Sequence, residues 1–522
     1  MLVDLRSLEE GAILDADLCV VGAGAAGITL ARAFAGRTLR VCLVESGGLE
    51  PDAATQDLYR GSSVGVNGFP LHVSRLRYLG GTTNHWNGWC APLAEADFTV
   101  RSWIPHSGWP LAPADLAPHY ERAAALLGLG ADAFAPEGGQ PPPPALDPER
   151  LVLSAWRIDE PPTRFGPAFR NELEVAANVT VLLHANVVRV ARSPEQARVS
   201  HVELAALGGR RARVRAGLFV LACGGLENAR LLLVSNDVEP AGLGNGHGLV
   251  GRFYMDHFHL ELGRIHAPGE ALRGLRRQGG AVPRHGGLRL CDRVQREEAV
   301  GNPVAWIGQP RSTDPPAEAA QEAPGLADRV ARMLDALFGT QDGATAAPGA
   351  AAASPADPAP RDVLHAYGNP RPDPESRVRL GEERDALGLP RLVLDWRLSD
   401  DDGRSLTVLA HTVGVELARL GAGRLRLAAW LREGGEAHGA WRERLLGANH
   451  PTGTTRMAAD PRRGVTDPDG RIHGLENLYV AGSSLFPTAG WGNPTLTILA
   501  LTFRLAEHLG RRLGVSPVVA GG

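Results

Sequence analysis

The sequence predicts an α/β protein: a Rossmann-like nucleotide-binding sheet, discontinuous along the chain, joined to a second domain of sheet and helices. Three observations carry this. A strand, a glycine-rich loop, a helix and a second strand follow one another within the first 45 residues; a strand runs into a Gly-Gly turn and a helix near residue 217; and a strand, a small-residue turn and a long helix close the chain. With 522 residues, 44% hydrophobic and 21% charged, the chain is long enough for two cores. A formal net charge of -4 argues against nucleic acid as a main partner.

In the first unit "DLCVV" (17–21) is an apolar strand, "GAGAAG" follows, "ITLARAFA" is helical and "RVCLVE" (40–45) is a second strand. Gly22, Gly24 and Gly27 fall on the dinucleotide-binding spacing, and Glu45 stands where a ribose diol would be held. Glycine removes the Cβ that would keep a pyrophosphate from the backbone, and a helix N-terminus offers N–H groups and the positive end of its dipole. Motif and acid alone leave NAD and FAD open. The opening residues carry acids where a leader peptide would need bases, and no stretch is apolar over the length of a bilayer, so a cytoplasmic protein with no membrane partner is expected. Five cysteines without a CxxC pair read as buried thiols, and no metal site is expected.

The loop "RYLGGTTNHWNGWCAPL" (77–93) gathers one imidazole and two indoles where turn chemistry does not require them; packing under a loop is the alternative for Trp86 and Trp89. "NVTVLLHANVVRVARS" (178–193) alternates as strands, and "GLFVLACGGLENARLLLVS" (217–235) returns the chain to the nucleotide-binding sheet. Helical spacing over 326–338 precedes an Ala/Pro/Gly-rich stretch at 340–361, read as a flexible linker with a pocket lid as the alternative. Leu392, Leu394, Trp396 and Leu398 alternate on one strand face, a helix follows an Asp-rich turn, and the two together read as a second sheet-based domain. "NLYVAG" is a strand, and the closing helix starts near Asn493–Pro494, where proline is favoured.

Taken in order, "GAGAAG" with Glu45, "GGTTNHW", "LACGGLENARLLL", "NHPTGTTRM" and "YVAGSSLFPTAGWGNPTLT" resemble the glucose–methanol–choline (GMC) oxidoreductases. They look most like the branch with pyranose 2-oxidase, glucoside 3-dehydrogenases and the flavin subunits of fructose and gluconate dehydrogenases. The resemblance implies FAD, bound by residues 1–100, 178–262 and 446–522, with a substrate domain of 101–177 and 263–445. It places His450 as the active-site base and Asn493 as its partner. It sets Gly22, Gly24 and Gly27 at the pyrophosphate, Glu45 at the adenosine ribose and Val187 at the adenine. Asn87, Gly88, Gly482 and Thr495 would line the flavin, Gly81, Thr82 and Ser483 would also bind the cofactor, and His85 stands where pyranose 2-oxidase attaches its flavin covalently, although several relatives do without that bond.

The chemistry implied is removal of a proton by His450 and of a hydride to flavin N5 from a hydroxyl of a sugar, glycoside or sugar-containing natural product, an aminoglycoside among them. Asp256 is a candidate acid for such a cationic substrate. A non-sugar alcohol, or a lyase that holds FAD without redox use, is the alternative. Oxygen, a quinone or a separate redox protein would take the electrons.

Overall fold

The computed structural model describes residues 1–66, 71–130, 133–134, 146–276, 282–309, 362–432 and 439–518. The expected linker at 340–361 and the helix expected over 326–338 lie outside the described residues. Two eight-stranded sheets and one three-stranded sheet organise the rest.

The apolar strand read at 17–21 is the buried half of a longer one, Ala12–Val21, whose outer half alternates between covered and open positions. It lies parallel to Val41–Val44 on one side and Arg211–Leu221 on the other. Beyond Val41–Val44 come Val179–Leu183 and Leu2–Asp4, again parallel. The strand Arg211–Leu221 has two partners on its far edge. Its first half pairs antiparallel with Val199–Ala205, and its last three residues pair parallel with Leu478–Val480. Burial is continuous from Leu18 to Val21, as a parallel strand covered on both faces requires, and Val41–Val44 is likewise buried throughout. Helices Ala25–Ala33, Gly224–Val234 and Pro494–Leu513 follow the carboxyl ends of three of these strands, so their N-termini open on one edge of the sheet.

The second sheet runs Arg424–Leu427, Phe258–His266, Asp362–Gly368, Val304–Gly308, Arg284–Leu290, Leu151–Ile158 and Trp89–Cys90, antiparallel throughout, with Leu446–Gly447 also on Phe258–His266. Three of the expected boundaries therefore cut this sheet: the strand Phe258–His266 passes through the 262/263 division, and Trp89–Cys90 and Leu446–Gly447, both expected within FAD-binding segments, add to the second sheet. Backbone hydrogen bonding sets these memberships, and apolar alternation alone does not report it. Pro390–Trp396, read as part of the second domain's sheet, pairs instead with Arg377–Arg384 and Gly61–Gly65 in a separate ribbon. Leu392, Leu394, Trp396 and Leu398 do share a buried face. The helix Asp400–Arg419 begins where Asp402 accepts the Ser399 N–H at 2.7 Å.

Gly27 shows how tightly the first helix sits on its strand. A Cβ there would lie 1.8 Å from the Gly22 carbonyl oxygen, and Gly22 is itself fixed by its N–H bond of 2.7 Å to the Val44 oxygen. Gly27→Ala is expected to cost about 1–3 kcal/mol through forced backbone movement. Gly24 differs, since a Cβ on it meets no protein atom within 4 Å. Gly24→Ala should leave apoprotein melting unchanged and weaken FAD retention, whereas Gly27→Ala lowers both; equal losses of melting temperature would contradict this assignment.

Candidate active site

Four strands of the first sheet end on a single cavity. Its wall takes Val21–Ala26, Val44–Ser46, Ala222–Gly225 and Gly482–Ser483 from just beyond those strand ends, which is where open parallel sheets bind ligands. The space amounts to about 1850 Å³, solvent mouth included. From the second sheet Trp89 and Tyr367 complete the wall.

Of the residues singled out in the sequence, Gly22, Gly24, Glu45, Gly81, Thr82, His85, Asn87, Val187, His450, Gly482, Ser483, Asn493 and Thr495 all line this cavity. Gly27 and Gly88 do not line it. Gly27 lies behind the loop, and Gly88 has its would-be Cβ 2.1 Å from the Asp159 oxygen at φ +70°, so both serve close backbone approach. Asp256 also stays out of the cavity; it is buried, and it accepts the His450 backbone N–H at 2.7 Å. Burial raises its pKa to about 7, partly offset by the backbone N–H groups it accepts. Asp256 therefore holds the His450 loop and offers no surface to a cationic substrate.

A dinucleotide fits the wall. Glu45 is anchored by the Ala23 N–H at 2.9 Å and the Gly47 N–H at 2.8 Å, which leaves its buried carboxylate on the cavity wall with acceptor capacity for a diol. Gly81 backs onto Gly24 so closely that a Cβ on it would stand 3.2 Å from the Gly24 Cα. At the opposite end the amide of Asn449 and the Oδ1 of Asn493 are buried without a hydrogen-bond partner among the described residues, as groups awaiting a ligand would be. Asn493 caps the N-terminus of helix Pro494–Leu513, whose dipole favours electron-rich ligand groups.

His450 is fixed by its surroundings. Its loop is clamped between Met255, which exchanges both backbone bonds with Thr452, and the turn at Ser483–Ser484, which accepts from Gly453 and Thr455. Asn449 takes φ +61° to turn the chain inward. The His450 Nε2 lies 3.3 Å from Asn493 Nδ2, and its Nδ1 lies 3.0 Å from His257 Nδ1. Burial, with the neighbouring His257 adding to it, holds the His450 pKa well below that of free histidine. His85 is further back, its Nε2 3.4 Å from the Tyr78 hydroxyl, and burial together with Arg164 lowers its pKa as well.

Sequence reading missed His257 and, apart from Trp89, the aromatic wall beside the pair. Tyr367 sits edge-on to His450 at 6.0 Å between ring centres and packs on Trp306 at 4.6 Å; Trp156 joins Trp89 and Trp491, each at 5.1 Å. These residues come from segments hundreds of positions apart, so no local pattern signals them.

A parallel sheet that opens its strand ends on a glycine-lined dinucleotide cradle, with an imidazole–amide pair on the same cavity wall, is the arrangement of a dinucleotide-dependent oxidoreductase. The comparisons with known proteins narrow this. Residues 372–502 match the family model described as GMC oxidoreductase. The chain is similar to paromamine 6'-oxidase of Streptomyces fradiae, 26% identical over 94% of this chain and 90% of that one. It is similar also to 6'''-hydroxyparomomycin C oxidase of Streptomyces lividus, 26% identical over 94% and 92%. Among solved structures, pyridoxine 4-oxidase from Mesorbium loti shares the fold at a TM-score of 0.57 and 18% identity, over 95% of this chain and 99% of that one. Together these make the chain an FAD-dependent oxidoreductase acting on CH–OH donors, with a C-terminal part that matches the GMC oxidoreductases. Among the described residues, no helix is long and apolar enough to cross a membrane.

Proposed function

We propose that this enzyme oxidises a hydroxyl group of a sugar, a glycoside or an aminoglycoside, with His450 as base and Asn493 as the group that holds the substrate oxygen. The observation that carries the reading is the convergence of the His450 Nε2 and the Asn493 amide, 3.3 Å apart, on the cavity wall beside Trp89 and Tyr367. Similarity to two aminoglycoside oxidases over nearly the whole chain supports the substrate class.

The roles follow from the groups themselves. Neutral imidazole accepts a proton at Nε2, and the Asn493 amide donates a hydrogen bond to the same oxygen and keeps it in line. Trp89 and Tyr367 offer flat apolar faces to the C–H side of a sugar ring. Bound FAD supplies the acceptor for the hydride. Fixed dipoles and apolar rings around the pair keep bulk water from competing for the proton.

A base works when unprotonated, and the lowered pKa of His450 keeps it so as the pH falls below 6.5. Flavin reduction should therefore hold a plateau through neutral pH and decline only below 6.5; a decline centred above 6.5 would contradict the burial argument. Asn493→Ala removes one neutral hydrogen bond worth about 0.5–1.5 kcal/mol, so reduction should slow about 2–10-fold. Stopped-flow measurement of the variant at pH 7 checks this.

The substrate reading is tested by mixing the holoenzyme anaerobically with paromamine, D-glucose, D-fructose, a methyl glucoside and an aliphatic diol. Bleaching of the oxidised flavin band by one of the sugars or by paromamine supports it. Bleaching by the diol alone would move the assignment to a non-sugar alcohol.

A further inference from the structure

His257 is buried on the strand side of the His450 loop, 193 positions away in sequence. Its two ring nitrogens have different partners. Nε2 lies 2.7 Å from the carbonyl oxygen of Gly490, and Nδ1 lies 3.0 Å from Nδ1 of His450. A carbonyl oxygen can only accept, so the His257 Nε2 carries a proton. Burial opposes a second proton on this ring, which leaves the His257 Nδ1 with a bare lone pair.

Two bare nitrogens 3.0 Å apart would repel each other, so the proton between the rings must belong to Nδ1 of His450. The His450 Nε2 is then the nitrogen without hydrogen. That assignment also orients Asn493: only its Nδ2 can face a bare Nε2, which accounts for the contact at 3.3 Å and for the unpartnered Oδ1 on the other side.

We propose that His257 is a positioning residue that locks His450 in the Nδ1–H tautomer and so keeps Nε2 available to the substrate hydroxyl. The proposal rests on the reading of His450 as base. In the step concerned, the substrate O–H bond breaks and an Nε2–H bond forms; bound FAD would be the acceptor for the hydride released when the carbinol C–H bond breaks. His450 becomes an imidazolium whose Nδ1–H to the His257 Nδ1 is then charge-assisted and stronger. Gly490 fixes the far end of the pair, and the Asp256 carboxylate fixes the His450 main chain at 2.7 Å.

The test uses holoenzyme labelled with 15N-histidine, with the His450 signals identified in solid-state spectra by their loss in His450→Asn. At pH 7 the wild type should show a protonated Nδ1 and a bare Nε2 on His450. In His257→Leu, which removes the acceptor but buries well, the signals should move toward the Nε2–H form. His257→Asn, whose Oδ1 can take the place of the ring Nδ1, should retain the wild-type pattern. Flavin reduction should follow the same order, with His257→Leu slowed ~10–100-fold at little change in substrate KM and His257→Asn recovering most of the rate; an orienting carboxylate in a protease triad is worth ~10⁴.

A purely structural role would slow both variants alike, because both lose the Gly490 contact. An Nε2–H tautomer in the wild type would overturn the proposal even if neither variant folds. A wild-type reduction rate in His257→Leu, alongside a large loss in His450→Ala, would sink the lock and leave the base assignment standing. A wild-type rate in His450→Ala would instead sink the reading beneath it.

Discussion

His450→Ala should reduce its flavin ~10²–10⁴-fold more slowly than the wild type, the usual contribution of a positioned general base. FAD content and melting temperature should change little, because the His450 loop is held by backbone bonds from Met255, Ser483 and Ser484 and by Asp256, none of which needs the imidazole. The loss belongs to the half-reaction in which the substrate gives up its proton. Reoxidation of a chemically reduced variant should be less affected. Stopped-flow traces of both half-reactions separate these outcomes, and a variant that reduces at nearly the wild-type rate would remove His450 from the mechanism.

Glu227→Leu should be the most destabilising of these substitutions. Glu227 sits in the "GGLENARLLL" helix and meets three guanidinium groups: Arg75 at 2.9 Å, Arg77 at 3.5 Å and Arg230 at 3.4 Å. All four side chains are no more than 11% exposed. Burial by itself would raise the carboxyl pKa, but Arg230, Arg75 and Arg77 together hold it down to about 2. Removing the shared anion leaves like charges facing one another away from water, a loss of about 3–5 kcal/mol. Arg230 keeps Asp385 at 2.6 Å, while Arg75 and Arg77 have no second carboxylate bridge among the described residues. The exposed Arg293–Glu297 pair is the control, since Glu297→Ala should cost no more than about 1 kcal/mol. Urea unfolding of the three proteins should rank them accordingly; a Glu227→Leu cost as small as the control would show that the cluster is solvated.

What the sequence made legible was what spacing encodes locally. The unit from Ala12 to Glu45 shows its glycines and its acid within 24 positions of one another, and the proline after Asn493 marks the start of the helix Pro494–Leu513. His450 and Asn493 were reached through the resemblance of their motifs, because nothing in the stretch between them, 43 positions apart, announces contact. His257 stayed hidden for a physical reason. In "FYMDHFHLELGRI" it reads as one member of an alternating strand, and its chemistry depends on Gly490 and His450, which the fold brings in from far along the chain. Asp256 read as a pocket acid because sequence shows the charge and does not show which way the side chain is turned. The strand Phe258–His266 crossed its expected boundary because sheet membership is settled by the edge a strand finds, here Asp362–Gly368.

The central claim is that a carbon-bound hydrogen of the substrate alcohol leaves as hydride while His450 takes the hydroxyl proton. Its most direct test is anaerobic single turnover of the holoenzyme with the sugar or aminoglycoside that bleaches it best, beside the same compound deuterated at the carbinol carbon. The flavin band should disappear, one carbonyl product should form per flavin, and the deuterated substrate should react more slowly. Conversion of the substrate with the oxidised flavin band unchanged, and no effect of deuterium, would contradict the account.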